Sequence, residues 1–206
     1  MPVLHKAGVA VLFAHVPKTG GTSVERYFVQ NGWTIEWRDG VAGPGSVNSY
    51  LRCSPQHVEA RRLDEFFRLE RFDVIFSTVR EPIARFRSEY CMRNVADLRT
   101  DPESVEAWGD SAFAAYEKDQ FVFDNHLRPQ HEFIVPGASV YRLEAGLEVM
   151  VEDLNARFDL GLAGELPRAS DREIEHGVPS RDVVVSDRLQ RRLRDFYARD
   201  FLDFEY

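Results

Sequence analysis

The chain has 206 residues, 44% of them hydrophobic, and a formal net charge of -8 at neutral pH. That length suits one domain with a sizeable core and argues against a second full one. The negative charge speaks against general binding to nucleic acid or an anionic membrane, which takes a broad basic face, so an anionic ligand would need a locally positive pocket. No stretch reads as a signal peptide or an integral membrane segment. Cys53 and Cys91 are too few and too far apart for a disulfide framework or a metal knuckle, so both are expected reduced and the compartment cytoplasmic.

In chain order, Val9, Val11, Leu12 and Phe13 read as a buried strand. Pro17 stiffens its exit, Gly20 and Gly21 permit backbone angles that strain other residues, and Thr22 or Ser23 can cap a helix through Val24, Tyr27 and Phe28. A helix start behind a glycine turn turns its first amide groups toward that turn, and with Lys18 they make a cradle for phosphate or sulfate. Lysine occurs only at Lys6, Lys18 and Lys118, so a mobile point charge at this turn stands out in a chain that otherwise uses arginine. The loop is not a Walker A motif, because Ala14 stands near the first glycine's place and Lys18 precedes the glycine pair. An ordinary tight turn with a surface lysine is the plainer alternative.

Thr34 to Trp37 could form a short strand, and Asp39 to Ser49 reads as a loop. Ser54 and Pro55 start a predicted helix that carries Val58, Leu63, Phe66, Phe67 and Leu69 on one face, ends near Arg71, and places His57 in its first turn. Phe72 to Thr78 reads as a second buried strand. Arg80 leaves its end, where a guanidinium can make two parallel hydrogen bonds to phosphate oxygens. Pro82 opens a helix with Ile83, Phe86 and Tyr90 inward and Ser88 able to donate to the same phosphate. Arg85 lies near Ser88's face and is expected in a surface pair with Glu89. Two strand-turn-helix units favour an α/β layer whose ligands gather at the carboxyl ends of parallel strands. Beyond them, Asp101 to Gly109 reads as a loop, Ser111 to Asp119 as helix, Phe121 to Arg128 as aperiodic, Ser139 to Leu143 as strand and Glu144 to Phe158 as helix. Gly161 to Pro179 reads as a polar connection, and Ser186 caps a last helix through Leu189, Leu193 and Phe196.

PKTGGTS at Pro17 to Ser23, STVREPIARFRSEY at Ser77 to Tyr90, DNHLRPQ at Asp124 to Gln130 and the terminal YARDFLDFEY together resemble the sulfotransferases that use 3'-phosphoadenosine-5'-phosphosulfate (PAPS). The resemblance is to the carbohydrate and heparan uronyl 2-O group, and the third segment is frequent in its bacterial members. It implies a P-loop-containing three-layer α/β sandwich, with a mostly parallel central sheet flanked by helices, as one domain over 1–206. It also implies PAPS as donor, adenosine 3',5'-bisphosphate as product, and no metal. Pro17, Lys18, Thr19, Gly20, Gly21, Thr22 and Ser23 match the 5'-phosphosulfate loop, with Lys18 at the bridging or sulfate oxygens, and Arg80 and Ser88 match the 3'-phosphate element. Many members carry an asparagine shortly before the serine of the loop that reads PRAS here, Pro167 to Ser170.

SPQHVEA at Ser54 to Ala60 resembles the segment that supplies a catalytic histidine in uronyl 2-O enzymes. His57 is therefore the preferred general base, and a helix N-terminus would help keep it neutral; a histidine that merely caps or packs is the alternative. His126 is the second candidate, as base or as a local binding group beside Arg128 and Gln130. His131 is a third imidazole nearby, and the histidines lack metal-ligand spacing. Trp33, Trp37 and Trp108 could stack on a sugar, and Arg52, Arg61, Arg62 and Arg128 could recognise an acidic acceptor. Three functions remain: sulfuryl transfer to a hydroxyl of a small molecule or saccharide, a magnesium-dependent kinase with an acidic strand end, or a nucleotide-binding module without catalysis. The size is compatible with a homodimer.

Overall fold

The computed structural model describes residues 1–166 and 178–206. Five strands, β1 (Val3–Lys6), β2 (Val9–Ala14), β3 (Thr34–Glu36), β4 (Val74–Val79) and β5 (Ser139–Arg142), form one sheet in the order β3-β1-β2-β4-β5. β1 runs antiparallel to both β2 and β3, whereas β2, β4 and β5 pair in parallel. The sheet is thus mixed, which corrects the expectation of a mostly parallel one. The cause is β1, which turns into β2 through Ala7 and Gly8 at φ 50 and 87. Positive φ at both central residues is the geometry of a tight two-residue hairpin.

Among the described residues, six helices flank or extend the sheet: α1 (Gly21–Gln30), α2 (Pro82–Arg93), α3 (Pro102–Lys118), α4 (Leu147–Phe158), α5 (Asp187–Phe196) and α6 (Ala198–Asp203). Side chains alternate along the central strands. Val11, Phe13, Val74 and Phe76 face α1 and α4, whose Val24, Phe28, Met150 and Leu154 complete one core. Leu12, Ala14 and Ile75 face the opposite side, against Leu51, Val58, Leu63 and Phe133. These two layers around the sheet make a three-layer α/β sandwich. A further cluster joins Phe86 and Tyr90 of α2 to Val105 and Phe113 of α3 and to Leu189 and Leu193 of α5.

The second face is covered by 3-10 turns at Pro55–His57, Ala60–Glu65 and Leu69–Arg71, where one continuous helix was expected. Val58 and Glu59 break it, with extended ψ of 134 and 153. The His57 carbonyl accepts from Asn125 Nδ2 at 2.9 Å instead of from a helical amide. A tertiary partner has overridden local propensity here. α3 starts earlier than expected because Asp101 caps it, accepting from Ser104 N at 2.8 Å, ahead of Pro102. Ser186 caps α5 as predicted. Cys53 and Cys91 are both free and buried. No described helix is long and apolar enough to cross a membrane. The PRAS segment and most of the polar connection around it lie outside the described residues.

Candidate active site

The carboxyl ends of β2 and β4 open onto a cavity of about 830 Å³, lined by every residue predicted for the donor site and for catalysis except Thr19. At its floor, Gly20 is the N-cap of α1 with φ 86, and no side chain caps the helix. Thr22 and Ser23 therefore do not cap, as had been expected, but sit within the first turn. The left-handed glycine reverses the chain so that its own carbonyl accepts from Ser23 N at 2.9 Å. No acidic residue of the helix itself occupies this turn, so the positive end of α1 faces the cavity with no charge of its own first turn to offset it.

Lys18 has φ 69, in the left-handed region that non-glycine residues seldom adopt. Its neighbours hold it there. Arg85 Nε donates to Pro17 O at 3.0 Å, and Thr19 Oγ1 donates to Val16 O at 2.8 Å and lies 3.0 Å from Thr78 Oγ1. Thr19 is fully buried, so its side chain stiffens the loop from behind. Lys18 Nζ lies 3.3 Å from Met92 Sδ.

Arg80 is fixed through its backbone by Gln130. The amide oxygen of Gln130 accepts from Arg80 N at 2.9 Å, and its Nε2 donates to Arg80 O at 2.8 Å. Gln130 N in turn donates to buried Asp200 at 2.7 Å. The Arg80 guanidinium itself has neither hydrogen bond nor ion pair among the described residues, and burial pushes its pKa down. Gln130→Leu would strand the amide and carbonyl of Arg80. We expect a loss of about 1–3 kcal/mol, seen as a lower urea midpoint at unchanged slope. Arg85 is not in a surface pair but is 2% exposed, and its guanidinium joins Pro17 O, His126 O (2.6 Å) and Arg128 O (2.9 Å). Glu89 is unavailable to it because that carboxylate, itself buried, takes Arg93 and His126.

His57 and His126 meet above this cradle, with ring centroids 4.8 Å apart and nearly perpendicular. Each is held at Nδ1 by a carboxylate 2.7 Å away, Asp124 for His57 and Glu89 for His126. A proton on Nδ1 leaves the lone pair on Nε2, the tautomer of a general base. Asp124 also accepts from Ser54 N and Ser54 Oγ at 2.6 and 2.7 Å, so Ser54 serves this carboxylate where it had been expected to start a helix. Phe123, Asp124 and Asn125 all lie at positive φ of 55, 59 and 69, which explains the aperiodic sequence. Such backbone costs roughly 1–2 kcal/mol per residue. It is held by Arg93 Nη2 on Phe123 O at 2.9 Å and by Asn125 on the His57 carbonyl.

Burial, and not a helix N-terminus, keeps both imidazoles neutral: it lowers the proton affinity of each, with the paired carboxylate opposing only in part. His131 pairs with Asp200 at 2.7 Å and lies outside the cavity. Although 67 residues separate His57 from Asp124, the ligand atoms of His57, Asp124 and His126 lie within 4.8 Å of one another, a spacing that could hold a metal ion. Here Asp124 is engaged by His57 and Ser54.

These shifts predict how stability depends on pH. His57 and His126 are held below the ordinary histidine range, so below about pH 6.5 the unfolded chain binds more protons and stability falls. Burial alone would raise the Glu89 carboxyl, but the His126 hydrogen bond and the Arg93 charge hold it down at about 2. A second loss therefore follows as pH drops from about 4.5 toward 2. The melting temperature, followed by circular dichroism, is expected to decline through both windows, and His57→Phe should flatten the first. A melting temperature that holds or rises on acidification from about pH 7 to 5 would contradict this.

Elsewhere on the cavity wall, Arg52 lies over the Phe121 ring at 4.4 Å and pairs with Asp119 at 2.7 Å, and Gly40, Ala42 and Gln56 also line the cavity. Arg61 and Arg62 pair with Glu59 and Glu65, and Arg128 is buried against Asn125 and Glu132, so none of these three reaches the cavity. The tryptophans pack: Trp33 on Phe28, Trp37 on Phe66 and Phe67, Trp108 on Phe86 and Tyr90. Asp124, Glu89, Ser54 and Arg85 were not recognised as site-building residues from the sequence, although Asp124 lies two residues before His126 in DNHLRPQ.

No curated protein and no solved structure matches the chain. A family model described as "Sulfotransferase family" matches residues 7–206, a span that includes both strand ends, the glycine turn and both imidazoles. The chain belongs to the sulfotransferase family.

Proposed function

We propose that the protein transfers a sulfuryl group from PAPS to a hydroxyl, with a saccharide as the acceptor class and His57 as the general base. The observation that carries this is Arg80: a largely buried guanidinium, clamped at its backbone and without a hydrogen-bond or ion-pair partner among the described residues, beside an uncapped helix N-terminus. Both features call for an anion, and a bisphosphate supplies two. Thr22, Ser23 and the amides of the first turn would hold the 5'-phosphate, Arg80 and Ser88 the 3'-phosphate, and Lys18 the charge developing on the leaving oxygen.

PAPS supplies an activated sulfuryl group. His57 Nε2 takes the acceptor's proton as the hydroxyl oxygen bonds to sulfur and the sulfur–phosphate oxygen bond breaks. Asp124 holds the resulting imidazolium, as a paired carboxylate does. Positioning and electrostatics dominate such a transfer, and the scheme requires no metal. Arg52, stacked on Phe121, puts a cation on the wall that an acidic saccharide would meet.

A magnesium-dependent kinase would need a free carboxylate at the strand end. Asp124 is the one carboxylate among the described residues lining the cavity, and it is already hydrogen-bonded. Calorimetry with adenosine 3',5'-bisphosphate, with and without magnesium and against ATP as competitor, tests the reading. Magnesium-independent preference for the bisphosphate is expected. No binding, or a magnesium-dependent preference for ATP, would overturn it.

A further inference from the structure

We propose that His15 is a positioning residue that ties the first turn of α1 to the His57 imidazole, so that the donor cradle and the base move as one unit. His15 directly follows β2, is 6% exposed, and forms part of the cavity wall. The inference rests on the transfer reading above for its consequence, and on geometry alone for its substance.

Four contacts fix the ring. Its face stacks on Phe13 with centroids 5.2 Å apart, and Nδ1 lies 2.8 Å from Glu25 Oε1. Glu25 also accepts from Arg38 Nε at 2.6 Å. The ring then meets His57 at 5.1 Å and 84°. Its other edge is pressed to Gly21: a Cβ added there would lie 2.1 Å from His15 Nε2 and 2.4 Å from Cδ2. Gly21 is not among the positive-φ residues, so the demand for glycine at that position comes from the imidazole and not from the backbone angle.

His15, His57 and His126 thus form a row of edge-to-face rings, and each Nδ1 faces a carboxylate from a different part of the chain: Glu25, Asp124 and Glu89. The first ring touches the turn that would hold the donor, and the second is the base. In-line transfer is sensitive to displacements of about 1 Å, which cost on the order of 100-fold in rate. A rigid spacer between the two groups is what such a transfer requires.

The test uses the full chain and needs no acceptor. In protein labelled with 15N-histidine, Gly21→Ala should displace the His57 ring resonances, and should no longer do so when combined with His15→Asn. Asparagine keeps a polar group toward Glu25 while withdrawing the ring from Gly21 and His57; His15→Gln is the second variant should His15→Asn fail to fold. With adenosine 3',5'-bisphosphate as probe, Gly21→Ala should weaken binding by about 10-fold or more, and the double variant should return to within about threefold of the parent. Equal displacement of His57 with and without His15, or none at all, would overturn the proposal. Should the bisphosphate bind no variant, the donor assignment fails and the resonance comparison still decides the role of His15.

Discussion

Replacing Arg80 with alanine is expected to weaken adenosine 3',5'-bisphosphate binding by about 100-fold while leaving the protein's stability nearly unchanged. Hydrogen bonds to a charged partner contribute roughly 1.5–3 kcal/mol each, and a guanidinium can direct two at one phosphate, so about 3 kcal/mol is a conservative loss. The stability half of the prediction follows from how the described residues hold Arg80. The Arg80 side chain has no hydrogen bond among the described residues, and its strand-end backbone is held by Gln130, so truncation orphans nothing. Removing a buried charge that Glu144 and Glu81 offset only in part is as apt to stabilise as to destabilise. Arg80→Lys should recover little of the affinity, because an ammonium cannot reproduce the planar fork. Calorimetry at fixed salt, alongside thermal melts, separates the effects. A variant that loses affinity only in proportion to its melting temperature would assign Arg80 to the scaffold.

What could be read from the sequence was local. The runs in β2 and β4, the glycine turn with Lys18, and Arg80 at a strand exit are contiguous patterns, and each falls where the cavity opens. β1 escaped because only Leu4 is fully buried in a four-residue strand otherwise bearing His5 and Lys6, too short to declare a period. The Ser54–Arg71 helix failed for a different reason. Its apolar residues do cover the sheet, yet Asn125 draws the His57 carbonyl out of helical pairing from 68 residues away. The histidine partners were hidden by the same distance: 67 residues separate His57 from Asp124, and 37 separate His126 from Glu89. Arg85 and Glu89 look like a surface pair on helix spacing alone. Only tertiary packing shows that one braces three loop carbonyls and the other anchors an imidazole. The histidines themselves were found, while the groups that orient them required the fold.

Those orienting groups also rank the two imidazoles as bases. Glu89 shares its charge between His126 and Arg93, whereas Asp124 receives only neutral donors from Ser54 besides His57. The carboxylate without an arginine can give more of its charge to an imidazolium, so the proton gained from the acceptor is better stabilised on His57. His57→Ala is therefore expected to reduce kcat by on the order of 100- to 10,000-fold, with bisphosphate affinity within about threefold of the parent. Asp124→Asn should follow with a loss of about 100-fold, because an amide that donates to Nδ1 would force the proton onto Nε2 and remove the acceptor lone pair. His126→Ala should cost less than either. Initial rates with radiosulfate-labelled donor and a saccharide acceptor, measured for all three variants, decide the order. A His126→Ala enzyme slower than His57→Ala would transfer the role of base to His126 and leave His57 as the ring that positions it.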